Sequence, residues 1–353
     1  MYYCYTLRFI NFITDPDQCK KNIVEFAKNL GTSKLFVLVN DLEEDSLYTT
    51  GIIDKLSDLK NFLFDLQADY CVVSDIRNVG FTISPLYDKT IFITRGFITY
   101  YNCVVRKNVP ITEWKSDSCK GLYLPGKLLR YNRSYLMYRL YKEKITDNLD
   151  WSFRTSEKSK KQIKELFFKD ISDIEYENFI NYCDRELDKD IGHIWGDTGD
   201  FQINACIIYD PAIYNNTSFS IVSETWFDYG KVPTLTEKIF KSLLHYHPFV
   251  MMGARGTLKA LEELGYRTFT EYMLIKDYDD IESEEERLEA VVQNVKFFQS
   301  NYHNFIEKIK EDVVHNHNNF LRISKEELSK LENILPKDVD PRTPLNLESF
   351  IWW

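Results

Sequence analysis

Five polar residues have the types and spacing that a binding site for a phosphorylated sugar would need. Glu224 follows an apolar run that predicts a buried strand. Thr236 is a natural N-cap for the next predicted helix, and Glu237 and Lys238 occupy its first turn. Carboxylates can accept hydrogen bonds from ribose hydroxyls, and a helix N-terminus with Lys238 and Lys241 can hold a phosphate. A structural explanation stays open, because Glu in a first helical turn favours the helix dipole anywhere and lysines are usually solvated.

The histidines and the repeated aspartates have spacings that do not favour a metal site. His245 and His247 are two residues apart, so they face different sides of a helix end, where a capping role is expected. His315 and His317 have no carboxylate at ligand spacing. The triplet Asp277-Tyr278-Asp279 does not follow a predicted strand in a position to hold a metal. The sequence therefore predicts no metal ion.

Several well-known catalytic motifs do not occur in the chain. It contains no Walker loop, no G-x-S-x-G and no H-E-x-x-H. Hydrolysis of nucleoside triphosphates by a P-loop, serine hydrolysis and zincin chemistry therefore have no support from the sequence.

The elements that must position these residues alternate between short apolar runs and amphipathic stretches, which favours an α/β fold. In the first half we predict strands at 2–9, 34–39, 70–74, 90–95 and 99–106, and helices at 15–30 and 52–66. In the second half we predict strands at 127–131, 149–153, 203–209, 218–223, 248–252 and 266–269. The helical stretches predicted there are 134–145, 157–190, 236–245, 257–264, one long or two abutting helices at 283–312, and a short one at 325–334.

A segment rich in Pro, Gly, Ser and charge at 108–126 predicts a domain boundary. We therefore expect a Rossmann-like domain over 1–115, a second over 122–282, and a C-terminal helix and tail over 283–353 that pack back across the domains. Ligands of such folds bind at the carboxyl ends of the strands, and two facing domains would place the site in the cleft between them.

Composition limits the possible partners. The 353 residues are 44% hydrophobic and 28% charged, which is typical of a globular protein rather than a disordered one. The net charge of −10 argues mildly against binding to nucleic acid. A local basic groove could still form from the four cations Arg77, Arg106, Lys107 and Lys115. We expect no membrane span, no signal peptide, and seven reduced cysteines in a cytoplasm.

Three segments resemble a known family. The order SETWF, LTEKIFK, HPF, a turn with Gly253 and Gly256, and LGYRTF looks like a family of glycosyltransferase-like proteins common in large bacteriophages. More distantly, the Thr-Glu-Lys stretch resembles the donor-binding segment of α1,3-fucosyltransferases. GKLLRYNRSYL resembles the strand–Asn-Arg–helix opening of the family's C-terminal domain, and DYDDIESEEERLEAV resembles the segment before its closing helix. The resemblance covers roughly residues 126–295.

This resemblance implies a GT-B fold, in which the second domain holds a nucleotide-sugar donor and the first binds the acceptor. Fixed cations and helix N-termini would then stabilise the departing diphosphate without a metal, and no other cofactor is implied. The donor-binding residues carried over are Asn132, Arg133, Arg139, Glu224, Thr236, Glu237, Lys238 and Lys241. One departure puts the phosphate contacts in question, because residues 134–138 read SYLMY where the family is usually richer in Arg, Pro and His.

An inverting transferase also needs a general base on the N-terminal domain, at the end of a strand. Asp41 and Asp75 fit this position, although Asp is common at such turns for capping alone. The acceptor would be a modified base in phage DNA, a glycan or a protein, and the enzyme would work in the cytoplasm of the phage host. The alternatives are a catalytically inactive GT-B-like structural or binding protein, possibly virion-associated, and a hydrolase that releases free sugar.

Overall fold

The protein has a mixed α/β architecture built on parallel sheets. The computed structural model describes residues 2–8, 12, 14–29, 34–42, 52–74, 90–92, 119–125, 130–151, 157–187, 212–224, 227, 233 and 235–334. The chain divides into two compact units. Unit 1 comprises Met1–Tyr101 and Ile323–Trp353, and unit 2 comprises Asn102–Arg322.

Unit 1 contains a parallel sheet of four strands in the order β1-β2-β3-β4. The strands are β1 (Tyr2–Arg8), β2 (Lys34–Leu42), β3 (Asp69–Ser74) and β4 (Thr90–Phe92). The helices described between them are α1 (Pro16–Lys28) and α2 (Ile52–Asp65). Helix α1 begins where the sequence predicts, because Asp15 accepts a hydrogen bond from the Gln18 amide at 3.0 Å and Pro16 fits the first helical position.

The core of unit 1 lies between this sheet and its helices. It is formed by side chains of which 8% or less is exposed: Leu7, Phe12, Cys19, Ile23, Leu35, Val37, Leu59 and Leu63. Two of them, Leu59 and Leu63, are four residues apart and so occupy one face of α2.

Unit 2 contains a second parallel sheet, with the order β6-β5-β7-β8. Its strands are β5 (Gly121–Tyr123), β6 (Leu149–Trp151), β7 (Phe219–Ser223) and β8 (Phe249–Met252). Its helices are α3 (Tyr131–Lys142), α4 (Glu157–Phe167), α5 (Asp173–Leu187), α6 (Ala212–Asn215), α7 (Glu237–Leu244), α8 (Thr257–Glu263) and α9 (Glu284–Ile334). Short 3₁₀ segments cover Ile145–Asn148, Thr270–Tyr272 and Tyr278–Asp280.

Strand β5 lies inside the segment that the sequence predicts to be a domain boundary. It pairs with both β6 and β7, and there is no room for a side chain at its first residue. A Cβ atom on Gly121 would stand 2.5 Å from side-chain atoms of both Leu149 and Phe219. The predicted strand at 127–131 is wrong at its end, because α3 already begins at Tyr131.

Helix α9 is one continuous helix of 51 residues, where the sequence predicts a helix at 283–312 and a separate short one at 325–334. Its residues up to Arg322 belong to unit 2 and the rest to unit 1. The division of the chain after Tyr101 falls before the predicted boundary at 108–126. The predicted strands at 99–106 and 203–209 lie outside the described residues. No helix in the described part of the chain is both long and apolar enough to cross a bilayer.

The segment after α8 does not form the strand that the sequence predicts at 266–269. Side chains of α9 bind its backbone instead. The Asn316 amide pairs with both the N–H and the C=O of Arg267 at 2.8 Å, and Asn294 does the same for Ile275 at 2.8 and 2.9 Å. The two asparagine amides therefore provide hydrogen bonds that a neighbouring strand would otherwise make.

Candidate functional site

The strand order of unit 2 reverses between β5 and β7. From β5 the chain moves to β6 on one side, and it then returns to β7 on the other side. In open parallel sheets a ligand binds at the carboxyl ends of the strands where the order reverses, because the connections diverge there and leave a crevice. We therefore expect a ligand site of unit 2 at the carboxyl ends of β5 and β7.

Arg133 fixes the start of α3 at the end of β7. Its side chain is buried, and Nη2 donates to the carbonyl oxygens of Ser223 at 3.5 Å and Glu224 at 3.3 Å. The Tyr123 hydroxyl accepts from Ser223 Oγ at 3.0 Å and donates to the Arg133 carbonyl at 3.4 Å. Burial raises the pKa of Tyr123, so this phenol stays neutral and serves as a structural bridge. Arg133, predicted to bind phosphate, is thus occupied by backbone carbonyls.

Glu224 fixes the start of α7 at the same strand end. Its carboxylate is almost completely buried and accepts two hydrogen bonds from Thr236, one from the backbone N–H at 3.1 Å and one from the hydroxyl. The Thr236 hydroxyl in turn accepts from the Lys238 N–H at 3.4 Å and from Lys238 Nζ at 3.1 Å. The carboxylate that the sequence suggests for sugar hydroxyls therefore holds the N-cap of α7.

The N-terminus of α3 carries a buried amide group that can donate to a ligand. Its N-cap residue, Arg130, makes no side-chain cap hydrogen bond. Asn132 is 5% exposed, and its Nδ2 has no hydrogen-bond partner among the described residues. The backbone N–H groups of Arg133 and Ser134 already donate to the Arg130 carbonyl at 3.1 Å, so the Asn132 side chain is the donor considered at this helix start.

A shallow pocket lies beside these elements. It is lined by Leu122, Leu124, Tyr214, Ser220, Ile221, Val222, Ser223, Lys238, Lys241 and Ser242. The β5 side is apolar, whereas α7 contributes two ammonium groups that are three residues apart and so lie on one face of the helix. This pocket can therefore receive a ligand with an apolar or planar part and an anionic part.

The remaining predicted residues are not gathered at this strand end. Arg139 lies seven residues after Asn132, about 10 Å further along the helix axis. Its guanidinium pairs with Glu289 of α9, and one of its nitrogens lies 3.9 Å from Glu143. Glu237 is the first residue of α7. In unit 1, Asp41 is the last residue but one of β2, and Asp75 lies outside the described residues.

Among the described residues of unit 2, three histidines are buried and neutral. His247 Nδ1 lies 3.0 Å from Ser220 Oγ, and its Nε2 lies 3.0 Å from the Tyr214 carbonyl. Burial lowers the pKa of His247 to about 4 and that of His245 to about 3, and it also lowers the pKa of His317. At neutral pH these residues serve as uncharged packing and hydrogen-bonding groups.

The acidic triplet at 277–279 has a structural role. Asp279 Oδ2 accepts a hydrogen bond from the Leu258 N–H at 2.9 Å, and the Tyr278 hydroxyl accepts from the Met251 N–H at 3.1 Å. Burial raises the pKa of Asp279 to about 6. Across the described ranges, no three His, Cys, Asp or Glu residues are grouped so that they could hold a metal ion.

The sequence reasoning did not single out Arg255. It lies in the turn between β8 and α8, at the same edge of the sheet as the end of β7. In the sequence, Arg255 lies between Gly253 and Gly256, directly after an apolar run. That pattern places a cation on a tight turn at the carboxyl end of a strand.

Comparisons with known proteins give a weak structural likeness and no match to a family or a curated protein. A solved structure of a glycosyltransferase from Rickettsia africae ESF-5 is similar, with 12% sequence identity and a TM-score of 0.38 over 96% of this chain and 99% of that chain. A likeness of this size fixes neither the fold nor the activity of the present chain.

Proposed function

We propose that the protein is a GT-B glycosyltransferase that takes a sugar from a nucleotide-diphosphate donor. The observation that carries the proposal is the attachment of two helix starts to one strand end. Arg133 of α3 binds the carbonyls that end β7, and Glu224 at that end binds Thr236 before α7. These contacts hold the Asn132 amide of α3 and the Lys238 ammonium of α7 close to the reversal point of the sheet, and such donors suit a diphosphate.

The chemistry that these groups would perform is stabilisation of the leaving group. When the sugar leaves, negative charge grows on the diphosphate, and fixed dipoles or cations that face it lower the barrier. Lys238 and Lys241 would bind the phosphates together with the Asn132 amide. Arg133 and Glu224 would not touch the phosphates. Their contacts would hold α3 and α7 in position.

Two parts of the reaction rest on the sequence resemblance. In a GT-B arrangement, unit 1 would bind the acceptor, and Asp41 or Asp75 would remove the proton of its hydroxyl. Glu237 would bind ribose or sugar hydroxyls, and Arg139 would act at a distance through its contact with α9. The acceptor would be a glycan, a protein or a modified phage DNA base, of which DNA is disfavoured by the net charge of −10.

The test is thermal stability measured against UDP-, GDP-, ADP- and CMP-sugars and the matching nucleotides. A ligand at about 100 times its dissociation constant adds about 2.7 kcal/mol to the free energy of unfolding. We expect a clear rise in melting temperature with one nucleotide. Lys238→Ala should remove about 1.5–3 kcal/mol of binding free energy, because it deletes a charged hydrogen-bond donor. Lys308→Ala, an exposed lysine of α9, is the matched control and should bind like the wild type.

The same contacts also favour a second function, because they occupy these side chains with protein atoms rather than with a ligand. Arg133 and Glu224 both spend their polar groups on protein atoms, as they would in a GT-B-like binding protein without turnover. A flat response to every nucleotide in the panel would support that alternative and contradict the transferase. Nucleotide binding with release of free sugar and no transfer would instead indicate a hydrolase.

A further inference from the structure

The turn after β8 holds Arg255 in a fixed backbone. A Cβ atom on Gly253 would stand 2.7 Å from Thr257 Oγ1, so the turn lies directly against the start of α8. Gly256 has a φ of +84°, a conformation that side-chain-bearing residues rarely adopt. Both glycines are therefore needed for the path of the chain on either side of Arg255.

Asp279 and its neighbour secure this turn from the protein interior. The buried Asp279 carboxylate accepts from the Leu258 N–H at 2.9 Å, and the Tyr278 hydroxyl accepts from the Met251 N–H at 3.1 Å. The Thr257 hydroxyl donates to the Ala254 carbonyl. The backbone of the turn is thus well anchored, whereas 39% of the Arg255 side chain is exposed.

The position of Arg255 relates it to the candidate site. Strand β8 pairs with β7, and Met252 stands opposite Ser223, the last residue of β7. Arg255 follows three residues later, at the carboxyl edge of the sheet. A Cβ on Gly256 would lie 3.7 Å from Pro233 Cγ, which belongs to the connection between β7 and α7. The turn that carries Arg255 therefore lies beside Pro233, three residues before the N-cap Thr236.

The partner of Arg255 is easily displaced. Its Nη1 lies 3.0 Å from Glu282 Oε1, and the Glu282 side chain is 72% exposed, so solvent screens this pair. The arginines predicted to bind phosphate are held more firmly. Arg133 is buried against two carbonyls, and Arg139 makes two contacts with Glu289.

We propose that Arg255 binds the diphosphate of the donor, a role that rests on the function proposed above. Its guanidinium would leave Glu282 and donate two parallel hydrogen bonds to phosphate oxygens, for which its planar fork is well suited. Glu282 would then pair with Arg255 only in the absence of the donor, and the phosphate would displace it. Lys238 would contact the phosphates from α7, and Arg255 would contact them from the turn after β8.

The experiment measures binding of UDP, GDP and ADP, and of uridine, guanosine and adenosine, by calorimetry. The proteins compared are the wild type, Arg255→Ala, Arg255→Lys, Glu282→Gln, Lys238→Ala and Lys296→Ala. Lys296 is the matched control, because it forms an exposed pair with Glu143 at 2.9 Å, beyond the C-terminal end of α3. Lys296→Ala removes the same charge from unit 2 as Arg255→Ala.

We expect Arg255→Ala to weaken binding of the preferred nucleoside diphosphate about tenfold and to leave the nucleoside unaffected. Arg255→Lys should weaken diphosphate binding about threefold, since a lysine keeps the charge but cannot make the paired contact. Glu282→Gln should strengthen diphosphate binding two- to threefold, because it frees the guanidinium. Lys296→Ala should change it less than twofold.

Three results would overturn the inference, and they can be told apart. If Arg255→Ala binds like Lys296→Ala while Lys238→Ala loses affinity, Arg255 has no part in binding but the donor site stands. If the wild type binds no nucleoside diphosphate, the proposed function and the role of Arg255 both fail. A loss of nucleoside affinity equal to the loss of diphosphate affinity in Arg255→Ala would also contradict the proposal, because it would indicate a damaged fold.

Discussion

The carboxylate of Glu224 accepts hydrogen bonds from both the backbone N–H and the hydroxyl of Thr236, twelve residues away. This pair joins the end of strand β7 to the N-cap of helix α7 in the interior of unit 2. A buried carboxylate is stable only where such donors replace its lost water. The position of Lys238, two residues after Thr236, therefore depends on a side chain that no ligand needs to touch.

Removal of Glu224 should destabilise the protein. Glu224→Ala leaves the Thr236 N–H without its acceptor and removes a hydrogen-bonded charge, so the free energy of unfolding should fall by about 2–3 kcal/mol. Urea denaturation measures this change. Thr236→Ser keeps both donors and should lose much less, and Glu263→Ala, at an exposed position on α8, should stay within about 0.5 kcal/mol. A Glu224→Ala protein of normal stability that no longer binds nucleotide would instead show that Glu224 contacts the ligand.

The unpartnered amide of Asn132 predicts an effect on binding without an effect on stability. Since Nδ2 is buried and has no partner among the described residues, Asn132→Leu should leave the free energy of unfolding unchanged or raise it slightly. Binding of the nucleoside diphosphate should weaken about tenfold if this amide meets a phosphate. Calorimetry with the diphosphate and with the free nucleoside separates the two effects. Equal losses for both ligands would contradict a phosphate contact.

Asp279 predicts a stability that decreases as the pH rises. Burial raises its pKa in the folded protein to about 6, above the usual value of 3.8, so folding favours the protonated form. The stabilisation is complete below pH 3.8 and is lost as the pH rises through 6, by about 3 kcal/mol at pH 7. Asp279→Asn should lack this dependence when unfolding is followed from pH 4 to 7. Glu263→Gln, at an exposed position on α8, should keep it.

His247 predicts the opposite dependence on pH. Its pKa falls from the usual 6.5 to about 4 on burial, so the folded protein favours the neutral ring. The stabilisation is present above pH 6.5 and is lost as the pH falls through 4, and at pH 5 about 2 kcal/mol has already gone. His247→Gln should therefore lose less stability than the wild type between pH 7 and pH 5. His303→Gln, at an exposed position, should behave like the wild type, and a parallel decline in all three proteins would rule out this role for His247.

The sequence predicted the elements whose signals are local. Helix α1 begins at an Asp-Pro pair, and β7 and β8 are apolar runs followed by turn residues. Strand β5 was missed because it has only three residues and begins with Gly121, which is not a strand-forming residue. Gly121 fits at this position because a side chain would collide with Leu149 and Phe219, which are distant in the sequence.

The candidate site shows the same division between local and distant signals. Thr236 was predicted as an N-cap from its neighbours, and its side chain does accept from the Lys238 N–H. The partners of Arg133 at Ser223 and Glu224 are about 90 residues away, and spacing alone cannot indicate them. Whether a polar side chain is available for a ligand depends on such distant partners.

Asn316 shows how α9 replaces a strand, and it yields a last prediction. Its amide accepts from the Arg267 N–H and donates to the Arg267 carbonyl, both at 2.8 Å. Asn316→Ala leaves both backbone groups unpaired in a half-buried place, so the free energy of unfolding should fall by about 2–3 kcal/mol. Asn316→Asp keeps the acceptor and loses the donor, and should fall by about half as much.

Urea denaturation compares these proteins with Asn304→Ala, which lies at an exposed position on the same helix and should change by less than about 0.5 kcal/mol. Because alanine is the better helix former, any loss in Asn316→Ala beyond that of Asn304→Ala comes from the contact with the 264–276 segment. If both variants are equally stable, the segment is held by its buried aromatic residues, Tyr266 and Phe269, rather than by the asparagine.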